Sequence, residues 1–380
     1  MNNEKLDRLG LPHPCDSLVG AMKPRIVKAI HKALFRVVES GQFGGRKGPT
    51  VTKFERAMAK RLGIAHAVAV NSGGSALFLT LWGLGIKKGD EVIVPTFTMV
   101  ATANAVVQCG AKPVFVDCEK NGNINVKKIE EKITKKTKAI IPVHIYGHPR
   151  DMDEIIVLAR KYKLLIIEDT AEAHGALYKN KLVGTFGDAG CFSFYANKLI
   201  TTGEGGMIIT NNQKLYKKLV KLRAYYFSDK MHFWHEHLAW NLRMSALEAA
   251  LGLAQLSRLE ELIKLRRENA QYYTKNLKSL SDYLIFPSEK KNVKSVFWMY
   301  GLVLKKGNRD KLMKFLEKNG VETRTYFFPM HWQPIYKEKN SYPIANWLGK
   351  NGLYLPSSSH LTKKQKNTVI KLIKKFFAKL

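Results

Sequence analysis

The sequence predicts an α/β fold: a mostly parallel sheet with helices packed on both faces. Three observations predict it. Between about residues 65 and 211, short apolar runs alternate with stretches of helical periodicity, the pattern of successive strand–helix units. The run 163–167, Lys-Leu-Leu-Ile-Ile, is almost continuously apolar, as expected of a strand covered on both faces. Finally, 380 residues with 45% apolar content are ample for a large core.

The elements follow in order. Residues 1–20 are polar, contain Pro12 and Pro14, and are expected to form an arm. Residues 23–38 have the spacing of an amphipathic helix, followed by the glycine-rich loop 41–49. A second helix is expected over 52–62, with Thr52 as its N-cap and Glu55 completing a capping box. The strands are placed at 67–70, 91–94, 112–116, 139–143, 164–167, 190–193 and 207–210. A long helical stretch over 247–278 should bridge to a smaller C-terminal domain. These elements divide the chain into an arm (1–20), a large domain (21–255) and a small domain (256–380). At the end, 369–380 sets Val369, Ile370, Leu372, Ile373, Phe376, Phe377 and Leu380 on one helical side and Lys371, Lys374, Lys375 and Lys379 opposite. Such a basic amphipathic helix could lie on a membrane; packing on its own domain is the preferred expectation.

Composition narrows the function classes. The 63 Lys and Arg against 31 Asp and Glu give a net charge of +32. The lysines are scattered rather than blocked, which reads as a lysine-rich solvated surface, with an anionic substrate as the alternative. No nucleic-acid-binding module is evident, so no nucleic-acid partner is expected. Cys15, Cys109, Cys118 and Cys191 form no CxxC pair, and a long, cysteine-poor chain is expected to be reduced and cytoplasmic. No run approaches 18 apolar residues, and the N-terminus lacks a signal-peptide pattern, so no stable membrane insertion is expected. The histidine-rich run 232–237 lacks HExxH spacing and a nearby cysteine; no metal site is expected.

Two segments carry chemistry. Lys198 lies in Ser193-Phe194-Tyr195-Ala196-Asn197-Lys198-Leu199-Ile200-Thr201-Thr202-Gly203-Glu204-Gly205-Gly206. Small residues permit close backbone approach, and aromatics that exclude water favour the neutral amine needed to join a carbonyl cofactor. The second is Glu168-Asp169-Thr170-Ala171-Glu172-Ala173-His174-Gly175. It follows the apolar strand, where open α/β sheets bind ligands. A carboxylate there, Asp169, can hold a protonated pyridine nitrogen. Upstream, Asn71-Ser72-Gly73-Gly74-Ser75 links a strand to a helix start, where backbone N–H groups bind anions.

With these stretches, Gly184-Thr185-Phe186-Gly187-Asp188, Gly252-Leu253-Ala254-Gln255-Leu256, Val321-Glu322-Thr323-Arg324 and Pro343-Ile344-Ala345, the chain resembles the DegT/DnrJ/EryC1/StrS sugar aminotransferases from about residue 41 to the C-terminus. The resemblance implies the aspartate-aminotransferase-like architecture of fold type I and pyridoxal 5′-phosphate as cofactor. It makes Lys198 and Asp169 catalytic and adds Glu172 to the cofactor set. Gly73, Gly74, Ser75 and Ser193 become phosphate ligands, although relatives carry Gly-Thr where Gly73-Gly74 stand. Asn241 matches an asparagine that reaches the phosphate from the neighbouring subunit, implying a homodimer with shared sites. Met99 stands where relatives stack an aromatic on the ring, with Phe97 two residues away as the other candidate. His235, Arg324 and His331 fall near the incoming sugar. A lysine rather than histidine at position 198 separates amino transfer from sugar dehydration. The implied reaction is ping-pong transfer from glutamate to carbon 4 of a nucleotide-linked 4-keto-6-deoxy sugar. GDP-4-keto-6-deoxymannose is the first expectation and a UDP- or dTDP-linked keto sugar the second. A non-catalytic binding protein on the same fold is the alternative from another class.

Overall fold

Short runs rich in Val, Ile and Ala become strands because branched side chains suit a pleated, covered surface. In the computed structural model, which describes residues 24–44, 48–231 and 233–379, these runs give β1 (His66–Val70), β2 (Glu91–Pro95), β3 (Lys112–Val116), β4 (Thr137–Ile140) and β5 (Leu165–Asp169). After the short hairpin β6 (Leu177–Tyr178) and β7 (Lys181–Leu182) come β8 (Ala189–Ser193) and β9 (Gly206–Thr210). Seven of them form one sheet in the order β1-β9-β8-β5-β4-β2-β3. All neighbours are parallel except those of β9, which runs against both β1 and β8. The register sets Asp169, the last residue of β5, beside Cys191 in β8, two residues before that strand ends at Ser193. Parallel strands thereby deliver the two chemistry-bearing segments to one end of the sheet.

The helix Gly73–Gly83 is buried on nearly every side, from Ala76 through Leu81, and packs on β8, β9 and the helix Val100–Gln108. A second sheet, β10 (Leu284–Ile285), β12 (Tyr300–Leu304), β14 (Gly352–Leu355) and β13 (Arg324–Thr325), is antiparallel throughout. Here β11 (Val293–Lys294) pairs with β6 instead, so that the β6–β7 hairpin and β11 make a separate three-stranded sheet. The small sheet has its own core of Tyr273, Leu302, Leu316, Leu353 and Ile373.

The structure corrects several sequence expectations. The helix expected at Thr52 starts at Pro49, with Gly48 as N-cap; proline suits that first position because its missing N–H is not required there. Glu55 therefore caps nothing: it accepts from the Ala69 N–H at 2.9 Å and pairs with Arg223. The single helix expected over 247–278 is two, Ala246–Leu256 and Leu259–Leu277. Its break lies at Ser257, whose hydroxyl turns back to the Ala254 carbonyl. The strand expected over 139–143 ends at Ile140, with Val143 only bridging Asp169. The last helix starts earlier, at Lys363, behind a Thr362–Gln365 capping box. It packs on its own domain: Val369, Ile370, Ile373 and Phe377 are buried, and Lys371, Lys374, Lys375 and Lys379 face outward. The arm 1–20, Cys15, the loop positions 45–47 and His232 lie outside the described residues. Among those described, no helix is long and apolar enough to cross a membrane.

Candidate active site

Strand β5 ends in two adjacent carboxylates that point to opposite faces, as successive strand residues do. Glu168, fully buried, is saturated by the backbone. It accepts N–H groups from Gly184 (2.7 Å), Phe186 (2.6 Å) and Gly187 (2.8 Å). A fourth partner is His144 Nε2 at 3.1 Å. His144 Nδ1 accepts the Arg150 N–H, so the ring proton sits on Nε2 and is donated to Glu168. Asp169 is held more sparingly, by the Thr102 hydroxyl (2.9 Å) on one oxygen and the Ala171 N–H (3.2 Å) on the other. Burial raises its carboxyl pKa above the ordinary value, while Thr102, Ala171, Lys198 and His144 oppose the rise. Glu168 fastens the strand to the 184–187 loop, and Asp169 faces the site.

Lys198 sits in the turn after β8. Its N–H bonds the Tyr195 carbonyl, and Thr202 and Gly205 tie the turn back to Phe194. The residue is buried at 8% exposure. Its Nζ lies 3.9 Å from the centroid of the Trp298 ring and 3.9 Å from Glu172 Oε1. Trp298 is fixed in turn by its indole N–H on the Asn197 carbonyl at 2.8 Å. Glu172 accepts the Tyr146 N–H at 2.7 Å, and burial pushes its carboxyl up to about 7 despite the opposing charge of Lys198. An amine between an aromatic plane and buried carboxylates is suited to cofactor attachment and proton transfer.

The anion cradle is built beside it. Ser72 caps the helix Gly73–Gly83, accepting the Ser75 N–H at 3.0 Å and donating its hydroxyl to Ser75 Oγ at 2.9 Å. Ser75 keeps its own hydroxyl hydrogen for a ligand. A Cβ on Gly73 would stand 2.7 Å from Ser193 Cβ. Only glycine lets the helix start meet the end of β8 this closely. A cavity of ≈ 440 Å³ opens over Ser72, Gly74 and Ser75 and continues past Asn104, Gln108 and Trp240. Met99 is half exposed at the start of the helix Val100–Gln108. Phe97 is fully buried against Tyr146, Tyr326 and Phe327, so of the two candidates Met99 is the one open to a ligand.

The remaining candidates are placed differently. Asn241 is exposed, bridges Ala224 through the backbone and accepts from Arg243 Nε at 2.8 Å. The adjoining Leu242 carbonyl takes the Asn71 N–H, which brings this segment alongside the cradle. His235 is exposed, with Nδ1 2.7 Å from the Tyr225 carbonyl. Arg324, half exposed on β13, forms an ion pair with Glu322 at 2.6 Å. His331 departs from the expected sugar contact: it is buried, with Nδ1 2.7 Å from the Thr96 hydroxyl and Nε2 2.7 Å from Asn346 Oδ1. Both ring nitrogens are engaged, making it a strut between the end of β2 and the helix Pro343–Asn351. Among the described residues no group of three or more His, Cys, Asp and Glu is placed to hold a metal.

Trp298, Tyr146, Thr102 and His144 belong to the site, and sequence reasoning missed them. The first lies 100 positions from Lys198, and no local pattern marks it. Thr102 had a weak signal, its i, i+4 spacing from Thr98, whose hydroxyl it meets at 2.9 Å.

Pyridoxal phosphate fits these residues. The missing Gly73 side chain leaves a cradle between a helix start and Ser193, and a buried amine, an aromatic face and a buried carboxylate stand next to it. The comparisons agree. The DegT/DnrJ/EryC1/StrS aminotransferase family profile matches residues 24–374. The chain is 42% identical over 335 residues to the GDP-perosamine synthase of Escherichia coli O157:H7, covering 87% of this chain and 91% of that one. Against the GDP-perosamine synthase of Caulobacter vibrioides it is 43% identical over 329 residues, 85% and 89% of the two chains. Among solved structures, S. venezuelae DesV in complex with a ketimine intermediate superposes with a TM-score of 0.87 and 34% identity, covering 93% and 95%. A buried lysine and carboxylate at one end of a mostly parallel sheet, with this match over nearly the whole chain, place the protein in the DegT/DnrJ/EryC1/StrS family of pyridoxal-phosphate-dependent aminotransferases.

Proposed function

We propose that this enzyme transfers an amino group from glutamate to carbon 4 of a nucleotide-linked 4-keto-6-deoxy sugar in the cytoplasm. GDP-4-keto-6-deoxymannose is the acceptor and GDP-perosamine, a precursor for lipopolysaccharide O-antigen, the product. The observation that carries the reading is the buried Lys198 amine beside Glu172 and under Trp298, in a chain with this likeness to GDP-perosamine synthases.

Bound pyridoxal phosphate supplies an electron-withdrawing ring that spreads the charge left when a proton departs from the adjoining carbon. The protein does the rest. Gly73, Gly74, Ser75 and Ser193 bind the phosphate through backbone and hydroxyl donors at the helix start. Asp169, steadied by Thr102 and Ala171, keeps the ring nitrogen protonated. Met99, half exposed at the start of its helix, would offer the ring its polarizable sulfur. Lys198 Nζ would hold the cofactor and, once released, would take a proton from the substrate carbon and return it. Glutamate leaves as 2-oxoglutarate before the keto sugar enters. His235 and Arg324, both solvent-facing, contact the sugar nucleotide. Asn241 is contributed by a second copy of the chain, so the enzyme works as a homodimer with shared sites.

Purified protein given glutamate and GDP-4-keto-6-deoxymannose should form a GDP-linked amino sugar and one 2-oxoglutarate per amine. Turnover restricted to UDP- or dTDP-linked keto sugars would move the base assignment to those nucleotides, and no turnover with any of them would end it. For the shared site, inactive Lys198→Ala and Asn241→Ala proteins, mixed under demonstrated subunit exchange, should regain activity because one site per mixed dimer is intact. A mixture that stays inactive excludes the arrangement.

A further inference from the structure

Glu172 presents only one oxygen to Lys198. Its Oε2 is committed to the Tyr146 N–H at 2.7 Å, and its Oε1 lies 3.9 Å from Lys198 Nζ. The clamp is stiff. Tyr146 is held at a positive φ of 52° and is followed by Gly147 at φ 86°, where any Cβ would come within 3.1 Å of the Glu172 carbonyl oxygen. The carboxyl is 4% exposed, so bulk water has little access to the pair. The ionisable groups that face it are Lys198 from the turn after β8, Asp169 from the end of β5 and the Tyr146 phenol from the segment after β4. Lys198 favours the charged carboxylate; Asp169 and burial disfavour it, so that it titrates at about 7. A carboxyl that titrates near the working pH is suited to both giving and taking a proton.

We propose that Glu172 is a catalytic residue that takes a proton from the Lys198 ammonium and later returns it, letting Lys198 alternate between cation and neutral amine inside a closed site. One N–H bond at Nζ breaks and one O–H bond at Oε1 forms; the return step reverses both, and no electrons are exchanged. An approach of about 1 Å brings the two atoms into hydrogen-bond range. The chemistry needs this exchange because only the neutral amine attacks a carbonyl or abstracts a proton from carbon.

The inference rests on Lys198 being the cofactor lysine, which borohydride trapping followed by peptide mapping of the wild-type holoenzyme tests separately. Given trapping at Lys198, the pH midpoint of the bound cofactor's near-visible absorbance is compared in wild type, Glu172→Gln and Glu172→Asp. Glutamine is isosteric and keeps the Tyr146 bond, but it removes the anion that favours a cation at Nζ. Its midpoint should fall by about one pH unit or more, with kcat down about 100-fold and an unchanged unfolding temperature. Glu172→Asp, which keeps the charge, should stay within a few tenths of a unit of wild type. An unmoved midpoint in Glu172→Gln overturns the proposal. So does an equal shift in both variants with a lowered unfolding temperature, which would make Glu172 a brace for Tyr146 and nothing more. Trapping at a different lysine overturns the reading of Lys198 and this inference with it.

Discussion

The carboxyl ends of β5 and β8 and the segment around Tyr225–Arg243, which the proposed function assigns to one site, are built on opposite principles. At the strand ends the functional groups are buried and fixed by hydrogen bonds: Asp169 by Thr102 and Ala171, Glu172 by Tyr146, Trp298 by Asn197. Across the way, His235, Asn241 and the large side chains Phe233, Trp234 and Leu238 face solvent. The polar ones spend their hydrogen bonds on near neighbours in the chain. The difference teaches where precision is stored. Cofactor chemistry needs fixed charges in a low-dielectric setting, and one folded chain supplies them; in the proposed function, selection of a sugar nucleotide falls to the exposed groups.

The largest expected effect breaks the buried half outright. Lys198→Ala should lower turnover by about 10⁴-fold or more while leaving circular dichroism and the unfolding transition close to wild type. Near-normal steady-state turnover in that variant would contradict the assignment. Asp169→Asn keeps shape and removes charge. A charge-assisted hydrogen bond is worth roughly 1.5–3 kcal/mol, so kcat should fall by about one to two decades, and a variant within twofold of wild type would mean that another group holds the ring nitrogen. Gly73→Ala tests the cradle without touching a charge. Its Cβ would collide with Ser193 at 2.7 Å, forcing the helix start away from β8. The dissociation constant for pyridoxal phosphate should rise about tenfold, equivalent to the ~1–3 kcal/mol typical of overpacking, and an unchanged constant would show that the cradle lies elsewhere. Arg324→Ala probes the exposed half and should matter least. Its pair with Glu322 is half exposed, so stability should change by under about 1 kcal/mol. A raised KM for the sugar nucleotide with kcat held would place Arg324 on the substrate, whereas unchanged constants would leave it a surface ion pair.

The same contrast explains what the sequence makes legible. Strands β1 to β5, β8 and β9 could be read because each is a short apolar run between turn signals, and parallel connectivity then delivers Asp169 and Lys198 to the same end. Helix starts were less readable: the Thr52 pattern satisfied a capping box, yet Pro49 and Gly48 begin the helix one turn earlier, since backbone geometry outweighs a side-chain cap. The strands β10 to β14 passed unseen because most are two residues long, too short for periodicity. Trp298 and Tyr146 come to the site through tertiary packing alone, and His331 shows the converse. Its position pointed toward the sugar, but partners distant in sequence, Thr96 and Asn346, take both ring nitrogens.

The central claim is that Lys198, among a chain crowded with lysines, is the amine that carries the cofactor. Reduction of the holoenzyme with borohydride followed by peptide mass mapping tests it directly. The account predicts a pyridoxyl group on the peptide containing Lys198 and none in the Lys198→Ala protein; a label on any other lysine in the wild-type enzyme would contradict it.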